Sequence, residues 1–493
     1  MIFWVITGIY LFGIAAIFIL ERSSQFITKL FPLLKGKTRI VFNYISVLIT
    51  ICAYIVYLYT VHPFSQSTKI LEKFAFSPFS SIFLALSTLL ISVTGFFLLS
   101  DVDEFSNRSK VGYSSLLFTQ YSAFIMFSSV SWVFIYLGLL GIIVGITFIL
   151  RNIYLKKEIE VTKELHSMFV FDIFSLVFLF LGILFYNLVF NSFIIQIKPR
   201  NDFWALELLS FIFIFCSSLI LLEIPPFHFR SFSEVNKKFK TPKIVNLLKK
   251  LVGVFMILNL SRPISVNSNY KQFYFIIFLT IGGIVSLWGV VGAINKLNIN
   301  ELLVYIDFYY IGTLLLFLSN NFSSDATIST SIEGYAFILF LTIFYFMMQI
   351  VQTSLTSLMS SKYSFNSLDD LLKGEKLEKI EVFPFAILQF VEIAFPLALS
   401  YTYIFYLNFK DISTLYFIIL TSIISVNFFF GIQSSFRVIY YSLKRTSLPL
   451  GYKRIEPNLH ISSFISMLIL VFNAVFIKEI VIVCQRAVFL FPF

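Results

Sequence analysis

Apolar runs of about twenty residues recur along the whole chain, and polar residues gather in short stretches between them. The first run, IFWVITGIYLFGIAAIFIL (2–20), carries no charge and is closed by Glu21-Arg22. About 20 apolar residues of helix cross a bilayer core. A backbone in lipid must satisfy its own hydrogen bonds, which leaves helices as the spanning elements for such runs. The pattern predicts fourteen spans, at about 1–20, 40–61, 79–100, 112–130, 131–150, 168–191, 203–224, 244–260, 273–294, 300–319, 333–358, 382–408, 412–436 and 461–484. The fourth and fifth are nearly continuous. No long soluble insertion separates any two spans, so residues 1–493 are expected to form a single, all-α, polytopic transmembrane domain. The first run has no basic leader and no small-residue cleavage site, and it reads as a retained span.

Lys and Arg test this count, because short loops on the cytoplasmic or matrix side collect them. Of the 37 basic residues, 26 lie in loops after odd-numbered spans, 8 after even-numbered spans, and three (Lys249, Lys250 and Lys478) within spans. A span missed mid-chain would swap the sides of every later loop and blur that split. Both termini are therefore expected on the side away from the basic loops. These loops also account for the net charge of +11, which removes it as a sign of nucleic-acid binding.

Composition narrows the class further. The chain is 58% hydrophobic and 13% charged, against about 25% charged in a soluble domain. The 64 Phe, with abundant Ile, Tyr, Asn and Lys, fit the codon bias of an AT-rich, organellar gene. Cys52, Cys216 and Cys484 are far apart in apolar runs, with no CxxC pair and no metal-ligand spacing, so they read as buried structural thiols. Phosphate-binding glycine loops, HExxH and nucleophile constellations are lacking, and no cofactor is expected in this chain. GIIVG (141–145) offers small residues for close helix packing.

A charge at the bilayer centre costs about 2.5–3.5 kcal/mol even on the cheaper scales, so ionisable residues inside spans are candidates for function. They are Asp172 in span 6, Glu207 and Glu223 at the ends of span 7, Lys249 and Lys250 in span 8, Asp307 in span 10, Glu333 opening span 11, Glu392 in span 12, and Lys478-Glu479 in the last. Glu207, Glu223 and Glu333 also fit solvated positions at headgroup depth. Lys478-Glu479 fits a neighbour-paired couple near an interface. Lys249 and Lys250 follow Pro242 by about seven residues, or about 10 Å of helix. Adjacent residues differ by about 100° on a helix, so one lysine is expected to face the interior and the other the headgroups or another helix. Snorkelling back to the basic loop is the alternative. Desolvated lysines and carboxyls can exchange protons near neutral pH, and at hydrogen-bonded or water-bridged separation they form a relay. In QFVEIAFPLALS (389–400), Pro396 denies the carbonyl of Glu392 its helical hydrogen bond. A bent helix with an acid at its break suits an ion path, and a packing kink is the other reading.

PPFHFR (225–230) at the end of span 7, then a loop and TPKIVNLLKKLV (241–252), resembles the seventh-to-eighth helix segment of the antiporter-like subunits of respiratory complex I, and most closely the NADH dehydrogenase subunit 2 family. Four further stretches agree in order. YLGLLGIIVG (136–145) resembles the fifth-helix motif and INELLVYIDFYYIGTLLLFL (299–318) the tenth helix. SLDDLLKG (367–374) resembles the acidic loop before the broken twelfth helix, and GIQSSFRVIYYS (431–442) the end of the thirteenth. The agreement covers about residues 111–445 as the antiporter-like core, which leaves 1–110 as an N-terminal three-helix extension and 446–493 as a C-terminal helix.

The resemblance implies an antiporter-like fold with broken helices near spans 7 and 12, in the long, fourteen-helix form encoded in a mitochondrion. It implies other complex I membrane-arm subunits and lipids as partners, and an inner-membrane location with both termini in the intermembrane space. It also implies a part in proton translocation driven by quinone chemistry elsewhere, with no flavin, quinone or iron–sulfur centre in this chain. The chain departs from the family at several charged positions. The family's fifth-helix glutamate falls at Leu140, its seventh-helix lysine at Leu221, its twelfth-helix lysine near Ile404 and its tenth-helix histidine at Tyr310. Its eighth-helix lysine falls near Val252, just beyond Lys250 and Lys249. By resemblance, Lys250 or Lys249 is the central protonatable group, with Glu223 and Glu392 as exchange partners and His228 at the loop-side mouth. Asp172 and Asp307 are further members of a rerouted path. Two other readings stay open: a subunit that keeps its place but pumps nothing, and a free-standing cation/proton antiporter of the related fold.

Overall fold

The computed structural model describes residues 2–22, 38–61, 68–70, 74–101, 108–154, 160–195, 204–228, 241–267, 271–294, 296, 298–322, 328–363, 418–419, 421–427, 429–431, 433 and 477–489. Twelve helices run through them: α1 (Ile2–Arg22), α2 (Thr38–Val61), α3 (Pro78–Asp101), α4 (Arg108–Phe127), α5 (Trp132–Tyr154), α6 (Glu160–Phe190), α7 (Trp204–Leu222), α8 (Thr241–Asn267), α9 (Lys271–Ile294), α10 (Ile299–Asn320), α11 (Ile328–Tyr363) and α12 (Ile477–Phe489). A short antiparallel hairpin, β1 (Thr68–Ile70) and β2 (Phe74–Phe76), lies between α2 and α3. Among the described residues, nine helices, α2, α3 and α5–α11, are long and apolar enough to cross a membrane. The protein is an all-α, polytopic membrane chain. The span expected at 382–408, with Glu392 and Pro396, lies outside the described residues.

Local chemistry sets the helix ends. Pro78 opens α3 behind Ser77, whose Oγ accepts the Ser80 N–H at 3.2 Å as an N-cap. The near-continuous fourth and fifth spans divide at Ser128–Ser131. There the Ser131 N–H donates to Ser129 Oγ at 3.0 Å, and the Ser128 hydroxyl donates back to the Phe124 carbonyl. Asn191 ends α6 in the left-handed region (φ 49°), a conformation common past helix C-termini. The segment after it returns to the α4–α5 turn, where the Trp132 N–H donates to the Phe193 carbonyl and the Ile195 N–H to that of Val130, both at 2.9 Å. Both of these links fall on the side opposite the basic loops, as alternating spans require.

Two compact units result, one from α1–α8 and one from α9–α11 with Ile224–His228. In the first, α4 and α5 pack over GLLGIIVG: a Cβ on Gly138 would sit 2.6 Å from the Met126 Cβ, and Gly141 and Gly145 lie against Ser122 and Thr119 in the same antiparallel register. The GIIVG stretch thus serves close packing. The outer face of α6 shows the inverted polarity of a lipid-exposed helix. Ile173, Phe174, Val177, Phe180 and Leu184 are exposed, while Asp172, Ser175, Leu179, Ile183 and Tyr186 are buried at helical spacing. Every residue of α8 from Ile244 to Ser261 is buried. It packs on α3, α5 and α7, and Phe255 meets Phe79, Phe83 and Phe127 at ring-centroid distances of 6.0, 5.1 and 4.9 Å. In the second unit, α9 and α10 meet over Gly282, Gly289 and Gly312. Of the cysteines expected to be buried, Cys484 is buried, Cys216 is half-buried and Cys52 is exposed on α2. An uncharged thiol can face lipid without penalty, which is why the apolar run around Cys52 does not fix its burial.

Candidate functional site

The first unit holds a buried ion pair. The Lys249 ammonium of α8 donates to Asp172 Oδ2 of α6 at 2.6 Å, and the two side chains are 1% and 3% exposed. Such a short N–O separation is that of a charge-assisted hydrogen bond. The two helices start from the same, basic-loop side, and both residues lie within about the first two turns of their spans, roughly 6–8 Å in.

Neighbouring contacts fix both ends of the pair. One turn beyond Asp172, Ser175 exchanges hydrogen bonds with Ser217 of α7: the Ser217 hydroxyl donates to the Ser175 carbonyl at 2.8 Å, and the two hydroxyls are 3.0 Å apart. Further along, the Ser210 hydroxyl donates to the Gly182 carbonyl at 3.1 Å. These links set the rotation of α6 and aim Asp172 inward. On the other side, Gly253 lets α8 approach α7, where a Cβ would meet Leu222 Cγ at 2.9 Å and the Ser218 carbonyl at 3.1 Å. Lys249 lies one turn before this crossing.

Lys249 and Lys250 are both buried. Of the two orientations expected for the second lysine, toward headgroups or toward another helix, burial fits the helix-facing one, because α8 has no exposed face between Ile244 and Ser261. Snorkelling is therefore closed to both. Glu223, one residue past α7, is buried at a backbone φ of 56°, and its N–H donates to the Ile220 carbonyl at 3.1 Å. A non-glycine residue in the left-handed region costs about 1–2 kcal/mol. Glu223 thus ends the helix buried, not solvated at headgroup depth. Glu207, in the first turn of α7, is half-buried where the helix dipole favours an acid.

The second unit holds Asp307 and His228. The Tyr345 hydroxyl of α11 donates to Asp307 Oδ1 of α10 at 2.9 Å, with Asp307 itself 6% exposed. The ring of Tyr310 lies 5.1 Å from that of Tyr345. His228 sits beside Trp288 and Phe308 at 5.4 and 6.0 Å. Desolvation by burial, partly offset by a backbone hydrogen bond at Pro226, holds its pKa below the ordinary histidine value. Leu140 is 38% exposed on the outer face of α5, whereas Leu221 and Val252 are buried.

Sequence reasoning singled out Asp172, Lys249 and Asp307 but missed Tyr345, Ser175 and Ser217. A signal for Tyr345 was present. Thr342, Tyr345, Gln349, Gln352 and Thr356 recur at intervals of three and four in a long apolar run and are all buried.

No family model and no curated protein matches the sequence. Solved structures do match the fold. A chain of respiratory complex I from Thermus thermophilus aligns with a TM-score of 0.68 at 12% identity, covering 98% of both chains. A chain of the membrane-bound sulfane sulfur reductase, an archaeal respiratory membrane complex, aligns with a TM-score of 0.74 at 11% identity, covering 99% of this chain and 97% of that one. The Mrp complex from Dietzia aligns with a TM-score of 0.68 at 10% identity over 97% of this chain and 52% of that one. The chain therefore has the fold of antiporter-like membrane subunits of respiratory and Mrp-type complexes.

Proposed function

We propose that this chain is a membrane-arm subunit of a respiratory NADH:ubiquinone oxidoreductase of the subunit 2 type, in the inner mitochondrial membrane, and that it takes part in proton translocation. The observation that carries the proton role is the Asp172–Lys249 pair, a titratable couple whose two side chains are both buried, with Lys249 on a helix stretch buried from Ile244 to Ser261. Full-length alignment with a chain of complex I supports the assembly. In this reading the pair is the proton-handling centre of the first unit. A proton arriving at Asp172 removes the counter-charge of Lys249 and frees its ammonium to reach another acceptor, for which the buried Glu223, just past the end of α7, is the candidate. Lys250 and Glu392 stay candidate relay members, and His228 the loop-side mouth. The redox chemistry resides in other subunits, with residues 1–110 an extension of the core at 111–445 and both termini in the intermembrane space.

Mild-detergent purification should recover the chain with NADH-oxidising partners, and Lys249→Ala in the reconstituted complex should lower the proton-to-electron ratio. Recovery of the chain as a transport-competent monomer would sink the assembly reading. A second reading is favoured by Leu140: with an exposed leucine where the family has a glutamate, the chain keeps its structural place and pumps nothing. An unchanged ratio in Lys249→Ala would select it.

A further inference from the structure

The second unit contains an aspartate that the Asp172–Lys249 pair does not use. Asp307 lies six residues into the span Glu301–Asn320, about 9 Å along its helix. Its Oδ1 accepts the hydroxyl of Tyr345, itself buried near the middle of α11. Tyr310 and Phe346 pack on the Tyr345 ring at 5.1 and 4.9 Å and hold the phenol on the acid. From Tyr345 the buried face of α11 continues through Gln349, Gln352 and Thr356 toward the basic-loop side. Amide and hydroxyl groups in such a line can hold water, which needs two to four polar partners. Titratable groups near Asp307 include Tyr309 and Tyr310 on its own helix, Tyr345 on α11, and His228, whose ring lies against the adjacent Phe308.

We infer that Asp307 and Tyr345 form a second proton-binding site, separate from the ion pair of the first unit. Asp307 takes up one proton at its carboxylate, and the Tyr345 hydroxyl turns from donor to acceptor. No covalent bond other than O–H is made or broken, and the phenol keeps its own proton. The polar face of α11 is the route to the basic-loop side. The inference deepens the proton-handling reading and rests on it only for the direction of net transport.

Infrared difference spectra of the full chain in its native assembly, recorded across acid and alkaline pH, test this directly. A carbonyl stretch of a protonated carboxyl should appear, vanish in Asp307→Asn, and shift in Tyr345→Phe, where the acid remains but loses its phenol. Absence of such a band, its survival in Asp307→Asn, or an unmoved band in Tyr345→Phe overturns the site. The Tyr345→Phe chain keeps ring and carboxyl, so it decides the matter even if Asp307→Asn does not fold. Because the band reports protonation and not pumping, an unchanged proton-to-electron ratio in Lys249→Ala would overturn the earlier reading and leave this one standing.

Discussion

The two units share one packing device and differ in how they satisfy a buried aspartate. Each brings two antiparallel helices together over glycine: α4 and α5 at Gly138, Gly141 and Gly145, and α9 and α10 at Gly282, Gly289 and Gly312. In the first unit Asp172 accepts from the ammonium of Lys249, and in the second Asp307 accepts from the hydroxyl of Tyr345. A charged donor ties the protonation of one residue to the fate of another, since discharging Asp172 leaves an ammonium in low dielectric. A phenol imposes no such condition, because a turn of its O–H serves either state of the acid. The first site is thus built to couple two groups, and the second to hold one proton.

The largest expected effect breaks the first half of this contrast. Lys249→Met leaves Asp172 buried without its counter-charge, and a broken buried pair costs about 3–5 kcal/mol. Combining it with Asp172→Leu should restore most of the loss, measured by denaturation in detergent. Equal stability of the single and double variants would show that the pair is not coupled. The shared device comes next. Gly138→Val and Gly282→Val should each cost about 1–3 kcal/mol by overpacking. Added carbons would meet the Met126 backbone at 2.9 Å in one case and the Leu316 nitrogen at 2.7 Å in the other, and backbone yields little. If only one unit responds, the glycine seams are not equivalent. The smallest effect belongs to Tyr345→Phe, which removes one hydrogen bond and should cost about 0.5–1.5 kcal/mol. A loss as large as that of Lys249→Met would mean that Asp307 depends on its donor as strongly as Asp172 does, and the contrast would fall.

Among the described residues, helix positions were largely legible in the sequence, and two helices that outrun their predicted spans do so for one reason. The span at 168–191 is the membrane part of α6, which begins at Glu160; likewise α11 runs on to Tyr363. Hydropathy marks where lipid ends, whereas a helix continues as long as its backbone bonds are made. Three site residues were legible because a charge in an apolar run is costly wherever it sits. Tyr345 was obscured because tyrosine is common in this chain and its hydroxyl declares itself only against an acceptor 38 residues away.

By itself, the sequence determined, for the described residues, which helices are long and apolar enough to cross a membrane and which charges they carry, since the transfer cost of a run depends on its own residues. Tertiary structure alone decided the partners. Lys249 and Lys250 are indistinguishable in sequence, and it is the 100° between them on α8, with α6 held by Ser175 and Ser217, that sets Asp172 before Lys249. It is also packing on α3, α5 and α7 that buries both lysines, because exposure is a property of a helix's neighbours rather than of its composition.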